Sequence, residues 1–113
     1  MLNLIDTHFH LDYYKNHQEI YAQINSLRQY TICMTSSPGI YHSCTKLYSE
    51  TKYLKFALGF HPQESKLTAN DFVNFKRMFM NTNYIGEVGL DFSRNYFKNK
   101  EEQIKRFDEI MYM

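Results

Sequence analysis

Residues 2–10 read Leu2-Asn3-Leu4-Ile5-Asp6-Thr7-His8-Phe9-His10. The run Leu2 to Asp6 predicts a brief apolar strand, and Asp6-Thr7-His8-Phe9-His10 follows directly on it. Side chains alternate across extended backbone, so His8 and His10 face one way and Phe9 the other. Their Cα atoms are then two rises apart, roughly 6.5–7 Å, close enough for both rings to reach one cation. A neutral imidazole offers a nitrogen lone pair at neutral pH without stripping water from a charge. Phe9, on the opposite face, suits a core between sheet and helices. The competing reading makes both histidines ordinary loop residues, and a bare His-x-His leaves that open.

The rest of the chain repeats the strand-then-helix pattern of its first residues. Asn16, with Glu19 three positions on, resembles a capping box, and Ile20, Ile24 and Leu27 then recur at helical spacing. Thr31 to Ser36 predicts a second strand closed by Pro38-Gly39, before a helix marked by Ile40, Cys44, Leu47 and Tyr48. Tyr53 to Phe60 predicts a third strand, and Phe72, Phe75 and Phe79 a third helix. Tyr84 to Val88 predicts a fourth strand, and Ile104, Phe107 and Ile110/Met111 a fourth helix. Four β-α units in succession argue for an α/β fold with a parallel sheet covered by helices. No linker or repeat divides the chain, so residues 1–113 are one unit. An open doubly wound sheet and the first half of a closed barrel both fit. A complete eight-unit barrel needs roughly 250 residues. The last residues, Ile110-Met111-Tyr112-Met113, are apolar and lack a C-cap glycine, which is expected of a truncated chain.

Thirteen basic residues against twelve acidic ones give a formal charge of +1. A protein that holds duplex DNA by charge alone shows a basic stripe, so any nucleic-acid contact here should be local to a site. Ten Tyr and nine Phe make the chain aromatic, either as core or as stacking surface. Cys33 and Cys44 form no CxxC pattern and read as reduced, buried thiols. No signal peptide and no stretch near the ~20 apolar residues of a membrane span are visible, so a cytoplasmic protein with no membrane partner is expected.

Two further segments carry candidate chemistry. In Ile85-Gly86-Glu87-Val88-Gly89-Leu90-Asp91, a glutamate inside a buried strand must be paired or liganded, because a lone buried carboxylate is costly. The alternative makes Glu87 a salt-bridged core residue and Asp91 a helix cap. In Gly59-Phe60-His61-Pro62, His61 ends the third strand at the same rim. Three strands that each place a ligand-type side chain at one end form a less accidental set than any one of them. His17 and His42 read as surface residues on helices. The Ser36-Ser37-Pro38-Gly39 turn could hold a phosphate by its amides, but it lacks the P-loop pattern and its lysine.

In order, Ile5-Asp6-Thr7-His8-Phe9-His10-Leu11-Asp12, Ala57-Leu58-Gly59-Phe60-His61-Pro62 and Ile85-Gly86-Glu87-Val88-Gly89-Leu90-Asp91 resemble the TatD family of metal-dependent deoxyribonucleases. Gln103 and Phe107 are similar to that family's glutamine-phenylalanine spacing. The Ser36-Ser37-Pro38 and Asp91-Phe92-Ser93 segments look more like the QatD-like subfamily of antiphage defence. The resemblance implies the first half of a (β/α)8 TIM barrel with one or two divalent cations (Mg, Mn or Zn) at its C-terminal rim. By position His8, His10 and Glu87 would be metal ligands, and His61 and Asp91 would lie at the substrate phosphate. The family's later ligands and its catalytic base would then lie beyond Met113. The implied reaction is phosphodiester hydrolysis of DNA, as single strands or 3′ ends, with Tyr13 and Tyr14 as candidates to stack a frayed base. Barrel hydrolases of amides or esters share His-x-His but often carry a lysine on strand four, where this chain has Glu87. A different class of reading is a non-catalytic or incomplete half barrel that works by self-association or with a partner chain.

Overall fold

The computed structural model describes residues 3–64, 66–93 and 99–113, and all structural statements concern these. Leu2, the first residue of the expected strand, lies outside them. The order is β1 (Ile5–Phe9), α1 (His17–Ser26), β2 (Tyr30–Cys33), α2 (Pro38–Leu47), β3 (Leu54–Phe56), β4 (Leu58–Phe60), α3 (Ala69–Phe79), β5 (Ile85–Val88) and α4 (Lys100–Met111). A short 3-10 turn, Leu11–Tyr13, follows β1. All pairings are parallel: β1 with β2, β2 with β3, and β4 with β5. Parallel strands alternating with helices form an α/β architecture like the opening half of a TIM barrel.

Several boundaries differ from the sequence expectation. β1 runs on through His8 to Phe9 and does not stop at Asp6. The third expected strand is two short strands separated by Ala57, while β2 ends at Cys33. Asn16 precedes α1, but its side chain donates to Glu19 (3.4 Å) and accepts nothing from the helix backbone, so no capping box forms there. The capping box occurs at α3, where the Thr68 hydroxyl accepts from the Asp71 amide and the Asp71 carboxylate accepts from the Thr68 amide. Pro38-Gly39 is the first turn of α2, with Ser37 as N-cap accepting from the Ile40 amide. Pro tolerates that position because its missing N–H would have no helical partner. The hydroxyl of Ser37 is therefore used by the helix. Arg28, at φ 56°, ends the first helical unit in the left-handed region.

The apolar residues gather in two clusters. Leu11, Ile24, Cys33, Cys44, Leu54 and Phe56 pack α1 and α2 onto β2 and β3. Leu58, Phe60, Phe72, Phe75 and Ile110 pack α3 and α4 onto β4. Tyr41 of α2 touches both. α4 turns Gln103 and Ile110 inward with Phe107 half-buried, while Ile104 and Met111 of the expected stripe stay exposed. Leu27 and Leu47 are likewise exposed, each at the C-terminal end of its helix, past the point where the helix meets the sheet.

Candidate metal centre

β1 and β5 each contain one extra residue relative to their partners, and these two bulges build the site. Asp6 pairs with Thr31 and Phe9 with Cys33, three steps on β1 against two on β2. Paired residues share a face, so Phe9 joins Cys33 in the apolar core. Unbroken alternation from Asp6 would instead have sent His8 and His10 into that core. The Asp6 carboxylate accepts from the His8 amide at 3.0 Å and fastens the bulge. On β5, Ile85 pairs with Leu58 and Val88 with Phe60, again three steps against two. Ile85 and Val88 both pack on the second cluster, and Glu87 is released to the opposite face. Bulges re-aim side chains in this way at strand ends.

The side chains so released meet. His8 Nε2 and His10 Nε2 are 3.2 Å apart. His10 Nε2 lies 3.0 Å from Glu87 Oε2, and His8 Nε2 lies 3.6 Å from Glu87 Oε1. All three donor groups fall within 4.8 Å of one another. Two neutral imidazoles and a carboxylate present lone pairs to one point, and a single shared proton serves only one pair of them. Ligands at ordinary 2.0–2.2 Å Zn–N and Zn–O bonds stand roughly 3–3.5 Å apart, close to the 3.0, 3.2 and 3.6 Å found here. The residues fit a divalent cation. His10 Nδ1 is buried and is the one such side-chain atom without a partner among the described residues. It is the nitrogen that carries the ring proton when Nε2 ligates. Tyr13 stacks on the His10 ring, centroids 4.2 Å apart and planes at 6°, and is itself 67% exposed. Tyr14 stacks on Phe9.

His61 joins this group with a different role. Its Nδ1 accepts from the Gln63 amide at 3.0 Å, which puts the proton of the neutral ring on Nε2. That Nε2, bearing the proton, lies 3.6 Å from Glu87 Oε1. The His61 amide donates to the Ser36 carbonyl at 2.9 Å, which holds the residue at the rim. Asp91 stands apart from the His8, His10 and Glu87 group. Its carboxylate accepts from the Ser93 amide at 2.8 Å and from Gln63 Nε2 at 2.5 Å. Hydrogen bonds from Ser93 and then Gln63 hold its carboxyl below the ordinary range. Gln103, buried in α4, brackets the Asp91 backbone, accepting from its amide at 2.7 Å and donating to its carbonyl at 2.9 Å. Gly89, at φ +150°, turns the chain between Glu87 and Asp91 in a region that other residues rarely adopt.

Sequence reasoning missed Gln63, which ties His61 to Asp91 from both its amide and its side chain, and Asp6 as the clasp of the β1 bulge. Neither has a signal beyond its nearness to a histidine. His17 is not a plain surface residue, since its Nδ1 bonds the Tyr48 hydroxyl, whereas His42 is exposed.

Comparison with known proteins places the chain in a family. The family described as TatD related DNase matches residues 5–113. An uncharacterized metal-dependent hydrolase of Buchnera aphidicola subsp. Baizongia pistaciae (strain Bp) is 31% identical over 110 residues, covering 89% of this chain and 42% of the relative. The chain thus spans less than half the length of that curated relative. With the match running from the first bulged strand to the last helix, this chain belongs to the TatD-related DNase family.

Proposed function

We propose that this chain carries the first part of the active site of a metal-dependent nuclease that hydrolyses phosphodiester bonds in DNA. The observation that carries the reading is the convergence of His8 Nε2, His10 Nε2 and the Glu87 carboxylate from two bulged strands, with the His61 N–H beside them. When bound, a divalent cation supplies Lewis-acid stabilisation of phosphoryl charge and activation of water. His8, His10 and Glu87 would hold the cation. His61 Nε2–H donates to a phosphoryl oxygen, and Gln63 orients His61 and Asp91 toward the same substrate group. With Glu87 holding the cation, the base would come from the remainder of the family's barrel. A near-neutral chain agrees with contacts confined to the scissile phosphate. The free face of Tyr13 offers a platform for one unpaired base, which favours single strands or 3′ ends. Glu87, where related amide and ester hydrolases often carry lysine, favours a phosphodiester over those substrates. Within the family, the Ser36-Ser37-Pro38 and Asp91-Phe92-Ser93 segments support a place in the QatD-like branch. A role in antiphage defence would then show as phage plating that rises when His8 and His10 are replaced.

The test is metal binding together with nuclease activity. The purified chain should bind divalent metal in stoichiometric amount, and joined to the remaining strands of the barrel it should degrade single-stranded DNA, with activity lost in chelator. His8→Ala with His10→Ala should abolish metal binding, and unchanged metal content would refute the ligand assignment. A second reading has its own observation: Ile5 on edge strand β1 and Leu4 just before it are 71% and 70% exposed. Exposed apolar edges invite pairing. In that reading the chain is a subunit that acts with another chain carrying the barrel's remaining strands. A monomer of full activity in light scattering would exclude it.

A further inference from the structure

Thr35, two residues past the end of β2, is fully buried (0% exposed) and makes four hydrogen bonds at the rim. Its hydroxyl donates to the Ala57 carbonyl at 2.9 Å and accepts from the Gly59 amide at 3.0 Å. Its own amide donates to the Gly86 carbonyl at 3.2 Å, and its own carbonyl accepts from the Glu87 amide at 2.9 Å. The pattern is a substitution of side chain for backbone. The Ala57 amide donates to the Cys33 carbonyl, as in a regular parallel ladder. The next two bonds of that ladder would be Thr35 N–H to the Ala57 carbonyl and Gly59 N–H to the Thr35 carbonyl. The hydroxyl makes both instead, so the Thr35 peptide groups are free to cross to the bulge of β5. This is why β3 and β4 break at Ala57. Gly59 leaves room for the crossing, because a Cβ there would lie 1.6 Å from the Thr35 oxygen and 2.8 Å from the Glu87 nitrogen.

We infer that Thr35 is a positioning residue for Glu87: its hydroxyl substitutes for the ladder so that its backbone can hold Gly86 and Glu87 in the bulge that aims the carboxylate at His8 and His10. One short-tethered oxygen must both donate and accept here, which a hydroxyl on Cβ does, so the position calls for Thr or Ser. With Val at this position the backbone must either leave Ala57 and Gly59 unsatisfied or return to their ladder and let the Glu87 bulge go. The inference rests on the metal-centre reading above, and the test separates the two.

Zinc affinity would be measured by competition titration for the unaltered protein, Thr35→Val, Thr35→Ser, Glu87→Ala and the Thr35→Val/Glu87→Ala double variant. Loss of a residue that orients a ligand weakens metal binding about 10- to 100-fold, and that is the loss expected for Thr35→Val. Thr35→Ser should restore most of it. In the Glu87→Ala background Thr35→Val should cost nothing more, since it acts through Glu87. Unaltered zinc affinity in Thr35→Val, or an equal further loss in the double variant, overturns the inference and leaves the centre standing. An unaltered protein that binds no zinc overturns both. Hydrogen exchange on the zinc-free, unaltered protein gives an answer even if Thr35→Val fails to fold. The Glu87 and Gly59 amides should be strongly protected, and rapid exchange at Glu87 would show that Thr35 does not hold the bulge.

Discussion

Glu87 is approached by three histidines, at 3.0 Å from His10 and 3.6 Å from His8 and His61, yet these do not do the same thing. The difference is set by what holds the far nitrogen of each ring. The Gln63 amide occupies His61 Nδ1, so His61 presents N–H to the site, while His8 and His10 present Nε2 to each other and to the carboxylate. His61→Ala should therefore leave zinc affinity unchanged and slow single-strand hydrolysis by about 10²–10³-fold, the loss typical of one charge-stabilising donor. Zinc titration alongside the rate assay decides it, and a fall in affinity equal to that of Glu87→Ala would make His61 a ligand. The sequence shows His61 as a rim residue with a functional partner nearby. It does not show which nitrogen faces inward, because that depends on a backbone amide placed by the turn that follows.

At the scale of elements, caps and bulges do what hydrophobic periodicity cannot. Thr68 and Asp71 satisfy each other's amides at the start of α3, and hydrogen bonds from Thr68 hold the Asp71 carboxyl below its ordinary value of 3.8. A carboxyl held low in the folded state stabilises it above its unfolded pKa. This contribution is complete well above pH 3.8 and is lost as the pH falls through the lower folded value. Thr68→Ala should cost about 0.5–2 kcal/mol in urea denaturation at neutral pH. Asn16→Ala should cost less, since Asn16 caps nothing and only meets Glu19; equal costs would contradict the difference between the two helix starts. Both sites carry a cap-type residue with an acidic residue three positions on. From sequence a box is expected only at Asn16, and the backbone conformation makes the difference, being extended at Thr68 (φ −101°, ψ 173°) but not at Asn16 (φ −94°, ψ 38°).

Across the whole molecule, two apolar clusters joined through Tyr41 hold the two sheets, β1-β2-β3 and β4-β5, under their helices. Phe75 is fully buried and rings with Phe60, Phe72 and Phe79, so Phe75→Ala should destabilise by about 3–5 kcal/mol by denaturant titration. A loss under 1 kcal/mol would mean the second cluster is not packed as described. In the first cluster, burial pushes the Cys33 thiol up to about 12 and the Cys44 thiol up to about 11, from 9.0. The folded state holds these protons more tightly than the unfolded chain. Their contribution is therefore complete below pH 9.0 and falls away as the pH rises through about 11 and then about 12. Stability measured from pH 8 to pH 11 should decline, and less so in Cys33→Ala/Cys44→Ala; identical slopes would exclude the thiols as the cause.

The sequence by itself determined the α/β alternation, the two clusters' apolar content, the free buried cysteines, and the candidate set His8, His10, His61 and Glu87. Each follows from short-range pattern: a period in hydrophobicity, or a residue type at a strand end. Only the tertiary structure decided that the set converges. An uninterrupted alternation through β1 and β5 would have buried His8, His10 and Glu87 among Cys33 and Phe60. One added residue on each strand, pinned by Asp6 on β1 and by Thr35 on β5, turns them outward to meet. A bulge is a mismatch between two strands, so it is a property of the pairing and cannot be read from either strand alone.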